Sequence, residues 1–295
     1  MATITVSMIG KNEEDNLSRC IKSVKEIAKT IVYADTGSTD SSIKIAESLG
    51  CHIRIVPFED FAQARNAAKD GLTGDWILQI DADEVLFNPE GLLPLVESNY
   101  YEAYVLAQEH LILGGNKTAM GMRLFRNRPH YKYVGCIHEM PEDMKATGPD
   151  KAISPYMFVQ DVCFAHFGCI DEKLRRTKVS DRNIQLLIKD LQVNPGRPYN
   201  KYLVIRDYLN IYKWRTQANG FRCKFNSTEH FLLCAIIRDY ERYKNDLLQR
   251  YRGLAQEVCE AAQSVLAQQD YQYIEGDMDP VTLLSLGIVM TNKGD

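Results

Sequence analysis

The chain has 295 residues, 45% of them hydrophobic and 25% charged, with a net charge of −4 at neutral pH. That supplies enough apolar material for one large domain or two modest ones, and too much for a disordered chain. No run of 18 apolar residues occurs, so a transmembrane helix is not expected.

Residues 3–9 form a short apolar run closed by Gly10 and read as a first strand. The opening Met1-Ala2-Thr3-Ile4-Thr5-Val6 lacks the basic and long apolar regions of a signal peptide, so a cytoplasmic location is expected. Residues 13–28 place Leu17, Ile21, Val24 and Ala28 at helical spacing, with acidic residues in the first turn. Residues 30–34 are β-rich and end at Asp35. Ser38-Thr39-Asp40 offers N-caps for a helix carrying Ile43, Ala46 and Leu49, which Gly50 ends. Residues 51–58 alternate as a third strand, 61–70 form a short helix, and 75–80 make a fourth strand that is apolar except for Gln79. Alternating strands and helices predict a largely parallel sheet with helices on both faces.

Residues 101–128 read as two or three longer strands around a Gly114-Gly115-Asn116 turn, and residues 133–140 and 162–168 as further short strands. From about Asp171 the pattern is helical to the end. Ile184, Leu187, Ile188 and Leu191 mark one helix, stopped by Asn194-Pro195-Gly196. Phe231, Ala235, Ile236 and Tyr240 mark another, and Leu254, Val258, Ala261 and Val265 a third. The expected organisation is an α/β domain over residues 1–170 and a helical domain over 171–295, the latter for acceptor binding or oligomerisation. Residues 171–257 carry 18 Lys and Arg against 10 Asp and Glu. That excess suits an anionic partner, or is simply a solvated helical surface. The eight cysteines form no CxxC pair and several occupy apolar positions, so they read as reduced small hydrophobes rather than a disulfide frame or zinc site.

Ligands of a parallel α/β sheet sit at the carboxyl ends of its strands. Those ends carry Gly10-Lys11-Asn12-Glu13, Asp35-Thr36-Gly37-Ser38 and Asp81-Ala82-Asp83-Glu84. In an extended segment Asp81 and Asp83 point to one side. There they can share a divalent cation, or one can hold metal and the other a sugar hydroxyl. Carboxylate oxygens suit Mg²⁺ or Mn²⁺, which also bind diphosphates. Asp81–Val85 also fits the DxDx[TV] string of haloacid-dehalogenase-like phosphatases, but there the string follows the first strand and here the fourth. Asp35-Thr36-Gly37-Ser38 matches the active-site string of aspartic proteases, which are all-β and need a second aspartate of that kind. No GxGxxG follows the first strand, which disfavours a dinucleotide-dependent dehydrogenase.

Four segments in order resemble family 2 glycosyltransferases: Lys11–Leu17, Ala34–Asp40, Phe61–Asn66 and Gly74–Glu84. The branch they look most like holds lipopolysaccharide-core and bacteriocin S-glycosyltransferases. The resemblance covers about residues 3–170 and implies a GT-A fold, a Rossmann-like mixed sheet, followed here by an all-helical region. It implies that Asp35 contacts the nucleotide base or ribose, that Arg65 helps hold the nucleotide, with Asn12 and Glu13 on the same donor side, and that Asp81 meets ribose or metal-bound water. Asp83 would ligate the Mn²⁺ or Mg²⁺ that bridges the two phosphates. Gly135-Cys136-Ile137-His138-Glu139 looks like the segment with the acceptor-side carboxylate. Glu139 is thus the candidate base, the alternative being a structural carboxylate paired with an arginine. Ala165-His166-Phe167-Gly168 resembles the segment whose late histidine reaches the metal or diphosphate, with His138 as the rival to His166. Relatives tend to have an aromatic after that glycine, where this chain has Cys169.

The expected function is metal-dependent, inverting transfer of a sugar from a nucleotide-diphosphate donor, foremost a UDP-sugar. The acceptor is open among an anionic lipopolysaccharide core, a modified nucleic-acid base and a protein side chain. The competing readings are a sugar-phosphate nucleotidyltransferase, which lacks its phosphate loop here, and a catalytically silent sugar-nucleotide-binding scaffold.

Overall fold

A strand buried on both faces favours apolar residues at nearly every position, and β1 (Ile4–Gly10) is such a strand, with only the small Thr5 and Ser7 polar. It pairs in parallel with β2 (Ala28–Asp35) on one side and with β4 (Trp76–Asp81) on the other, and β3 (His52–Ile55) extends the sheet beyond β2. This computed structural model describes residues 1–98, 100–111, 117–147, 151–168, 176–218, 227–247 and 249–267. The chain divides into two units, Met1–Glu172 and Lys173–Asp295.

In the first unit an eight-stranded sheet runs in the order β3-β2-β1-β4-β7-β6-β10-β5. The added strands are β5 (Glu84–Phe87), β6 (Ala103–His110), β7 (Lys117–Arg126) and β10 (Tyr156–His166). The half built from β1 to β4 is parallel, whereas β7 pairs antiparallel with both β4 and β6, and β5 antiparallel with β10. A separate two-stranded sheet joins β8 (Tyr131–Val134) to β9 (Met140–Asp143). One sheet face is covered by α1 (Glu14–Val24) and α2 (Ser42–Ser48), through Leu17, Cys20, Ile21, Val24 and Ala46 against Ile4, Val6, Met8 and Leu78. The other face receives α3 (Phe61–Lys69), whose Ala62, Ala64 and Ala68 are small enough for close approach. The architecture is therefore the expected mixed α/β fold, parallel in its first half.

Several boundaries differ from the sequence reading. The first helix stops at Val24, because Ala28 is taken into the sheet opposite Ile4. The third strand is only His52–Ile55, although the bond from Val56 N to the Asp35 carbonyl at 2.8 Å still follows its parallel ladder with β2. Residues 133–140 are not one strand: Gly135 (φ 110°) and His138 (φ 52°) take left-handed conformations that end β8 before β9 begins. Residues 162–168 are largely the end of the longer β10. The sequence reading also missed β5 and the short helical turns Pro89–Leu92 and α4 (Leu93–Glu97), which Trp76 Nε1 and Tyr104 Oη hold through the carbonyls of Val96 (3.0 Å) and Leu95 (2.7 Å). The Gly114-Gly115-Asn116 turn lies outside the described residues.

The described residues of the second unit are mostly helical: a π-helical turn at Lys178–Asn183 leads into α5 (Ile184–Val193), followed by α6 (Pro198–Ala218), α7 (Ser227–Tyr243) and α8 (Gln249–Ala267). Buried Asp190 at the end of α5 accepts from Asn194 Nδ2 at 2.8 Å and Asn200 Nδ2 at 2.5 Å, which fixes the turn into α6. Among the described residues no helix is long and apolar enough to cross a membrane.

Candidate active site

Strand register sets the first level of the site. Gly10 lies opposite Asp35 on β2, and Ile9 opposite Asp81 on β4. Strand order reverses at β1, the position where open α/β sheets leave a crevice. A side chain at Gly10 would have no room there, since its Cβ would fall 2.9 Å from the Tyr33 ring and 3.1 Å from Ala82 Cβ.

Asp35 is buried, and its Oδ2 accepts from the backbone N–H groups of Gly37 and Ser38, each at 2.9 Å. Asn12, with a left-handed φ of 58°, cross-links the two loops. Its N–H donates to Ser38 Oγ at 2.9 Å, and its Oδ1 accepts from Thr39 N at 2.8 Å. Glu13 N donates to Ser42 Oγ at 2.7 Å, while its carboxylate accepts from Asn16 Nδ2 at 2.7 Å. Asn12, Glu13 and Asp35 thus belong to one rigid pair of loops at the ends of β1 and β2.

A charged cluster fills the next level. Asp60 caps α3 by accepting from Gln63 N at 2.8 Å, and one turn later Arg65 projects into the protein with only 6% of its side chain exposed. Its Nε donates to Glu139 Oε1 at 2.5 Å and its Nη2 to Asp81 Oδ1. Arg123, from β7, lies 3.6 Å from the other Asp81 oxygen and donates to Glu84 at 3.1 Å. Glu84 is fully buried and also accepts from Asp81 N at 2.7 Å and from Gln108. Gln79, in the amide orientation that satisfies both its ends, accepts from Arg65 and Arg123 and donates to Tyr133 Oη at 3.1 Å. Burial opposes the charge on Asp81, but Arg65 and Arg123 outweigh it and hold its carboxyl well below the usual carboxylate range. For Glu84 burial wins over Arg123, and the neighbouring Asp81 charge adds to it, pushing the carboxyl up to about 7. Asp81 and Glu139 hold the Arg65 guanidinium firmly protonated in spite of its burial.

Asp81 and Asp83 do not share one side of an extended strand. β4 ends at Asp81 and β5 begins at Glu84, so Ala82 and Asp83 form a turn and the period-two rule lapses. Asp81 faces the arginines. Asp83 faces His166, with Oδ2 and Nε2 at 3.1 Å. The β5–β10 ladder brings these two together by placing His166 opposite Glu84, and Phe167 N donates to the Asp83 carbonyl at 2.9 Å. A carboxylate and an imidazole suit Mn²⁺ or Mg²⁺ as a partial ligand set, to be completed by substrate oxygens and water. The space around them fits that use: a Cβ on Gly168 would fall 1.9 Å from Asp83 Oδ2 and 3.0 Å from His166 Nε2. Among the described residues no three His, Cys, Asp or Glu side chains form a ready-made metal cluster. His138, the rival histidine, lies in the left-handed turn before β9.

The family model described as glycosyl transferase family 2 matches residues 5–140, which include the ends of β1, β2 and β4 together with Arg65, Arg123 and Glu139, but not His166. The first unit belongs to glycosyl transferase family 2. A TPR repeat-containing protein of Synechococcus elongatus is 30% identical over 206 residues, covering 68% of this chain and 50% of its own length. The SPbeta prophage-derived glycosyltransferase SunS of Bacillus subtilis is 26% identical over 273 residues, covering 82% of this chain and 60% of its own. The chain thus spans half to three-fifths of the length of these curated relatives. Among solved structures, S. aureus TarS (residues 1–349) is 13% identical with a TM-score of 0.46, covering 92% of this chain and 94% of that one.

Within this family 2 domain, sequence reasoning gave no site role to Gln79, Glu84 and Arg123. Gln79 had a visible signal, a lone polar residue in an apolar strand. Gly168 yields a direct test. Its Cβ would crowd only side-chain ends, the Asp83 carboxylate and His166 Nε2, so Gly168→Ala should leave the denaturation midpoint nearly unchanged. Nucleotide release should nonetheless fall about 10²-fold, the usual cost of ångström-scale misplacement of a reacting group. Unaltered turnover would show that the Asp83 position is not critical.

Proposed function

We propose that the chain transfers a sugar from a nucleotide-diphosphate donor, a UDP-sugar foremost, to an acceptor hydroxyl or thiol with inversion at the anomeric carbon. The observation that carries this reading is the meeting of Asp83 and His166 beside the switch point of a family 2 sheet. On this reading the rigid loops of Asn12, Glu13 and Asp35 receive the nucleoside. Asp83 and His166 hold Mn²⁺ or Mg²⁺, and Asp81 meets the ribose or a metal-bound water from its place between Arg65 and Arg123. The bound cation would offset the charge of the departing diphosphate. Glu139 takes the acceptor proton, oriented by its bond to Arg65. The pairing with Arg65 is also what a purely structural Glu139 would show, so Glu139→Gln belongs in the first variant set.

The acceptor is proposed to be anionic, in keeping with the basic composition of residues 171–257, and the helical unit to bind it or to mediate oligomerisation. The proposed location is the cytoplasm. The test is a panel of nucleotide sugars scored by nucleotide release with Mn²⁺ and again with EDTA. One donor should dominate and EDTA should abolish its turnover. Undiminished release in EDTA would remove the metal from the proposal, and pyrophosphate release from a nucleoside triphosphate with a sugar phosphate would favour a nucleotidyltransferase instead.

A further inference from the structure

His166 does not stand alone on its strand. β6 and β10 run parallel, and beyond a bulge their last four residues pair in step, with His110 directly beside His166 at the carboxyl ends. The two Nδ1 atoms lie 2.8 Å apart and the rings meet edge to face, with centroids at 5.0 Å. Leu111 N donates to the His166 carbonyl at 3.1 Å, so the backbones are locked at the same point. A contact this short between two ring nitrogens requires one proton between them, donated by one ring and accepted by the other.

The direction of that bond decides what His166 can do. If His110 donates, a neutral His166 carries its proton on Nε2 and can only donate it to Asp83. If His110 accepts, the proton sits on His166 Nδ1, and Nε2 turns its lone pair toward Asp83 Oδ2 at 3.1 Å, an arrangement that calls for a cation between the two. Only the second tautomer can ligate a cation. Metal-bound histidines depend on such a partner on the far nitrogen to fix tautomer and ring orientation.

We infer that His110 is a positioning residue, accepting the His166 Nδ1–H so that the Nε2 lone pair is presented beside the Asp83 carboxylate. This rests on the proposed reading of Asp83 and His166 as metal-holding residues. Asparagine at 110 can place its carbonyl oxygen where Nδ1 now lies, whereas phenylalanine keeps the ring and removes the acceptor.

The experiment is calorimetric titration of Mn²⁺ into the full chain saturated with UDP, for wild type, His110→Phe, His110→Asn and His166→Ala. His110→Phe should bind Mn²⁺ about 10- to 100-fold more weakly, the usual cost of losing such a partner. His110→Asn should stay within about threefold of wild type, the rescue expected of a retained acceptor. Histidine nitrogen NMR of the wild-type Mg²⁺–UDP complex, which needs no variant to fold, should show His166 protonated on Nδ1. A proton on Nε2 there, equal loss in both His110 variants, or undiminished binding by His110→Phe while His166→Ala binds weakly would each overturn the role of His110. Undiminished binding by His166→Ala would instead show that the metal reading itself is wrong, and the role of His110 would fall with it.

Discussion

Replacing Asp83 by alanine is expected to lower nucleotide release by about 10²–10³-fold at saturating donor and Mn²⁺, the scale on which removal of one charge-stabilising group acts in a closed site. Thermal stability should barely change. The backbone bond that ties this turn to β10, from Phe167 N to the Asp83 carbonyl, does not use the side chain. Among the described residues the carboxylate makes one polar contact, with His166. Asp83→Asn separates charge from shape, because the amide keeps an oxygen near the same place. It should lose most of the activity that alanine loses if charge on the departing diphosphate is what matters, and little of it if Asp83 only spaces the turn. Equal turnover in wild type and Asp83→Ala would take Asp83 out of the reaction altogether.

The parallel half of this fold could be read from residues because its central strands, β1 and β4, are buried on both faces. Ile4–Ile9 and Trp76–Ile80 are predominantly apolar for that reason, interrupted only by Thr5, Ser7 and Gln79, and the polar residues after them marked strand ends. The other half could not be read in the same way. β5 pairs with β10, far along the chain, and neither the partner nor the register is written locally. Arg123 and His110 lie on strands where a polar residue ordinarily marks a solvent-facing position, so burial in a charged cluster or pairing with a second histidine left no sequence trace. The Asp81-Ala82-Asp83 string was found for sound chemical reasons, yet the two carboxylates part company because the strand stops between them. Gly135 was a usable cue for the break after β8, since its φ of 110° lies in the region glycine favours; His138, at 52°, gave no such warning.

The largest loss of stability is expected from Arg65→Met. The side chain sits with 6% exposure between Asp81, at 28%, and Glu139, at 9%. Removing one partner from a buried ion pair leaves its counter-charge without compensation, at a cost of about 3–5 kcal/mol. Here two carboxylates lose the same guanidinium, and Gln79 loses one of its two arginine donors. Arg123 still faces Asp81 at 3.6 Å, so Glu139 carries the greater share of the deficit. Lysine is a poor replacement, because a single ammonium cannot reproduce the fork that reaches Glu139 through Nε and Asp81 through Nη2. Urea denaturation of the full chain, followed by a probe in the first unit, should therefore show a markedly lower midpoint for Arg65→Met and a smaller drop for Arg65→Lys. Adding Glu139→Gln to Arg65→Met should recover part of the loss, since the stranded charge is gone and the neighbours are coupled. An Arg65→Met midpoint within experimental error of wild type would mean that the cluster is hydrated in solution. Further loss on adding Glu139→Gln would mean that Glu139 is held by something other than Arg65.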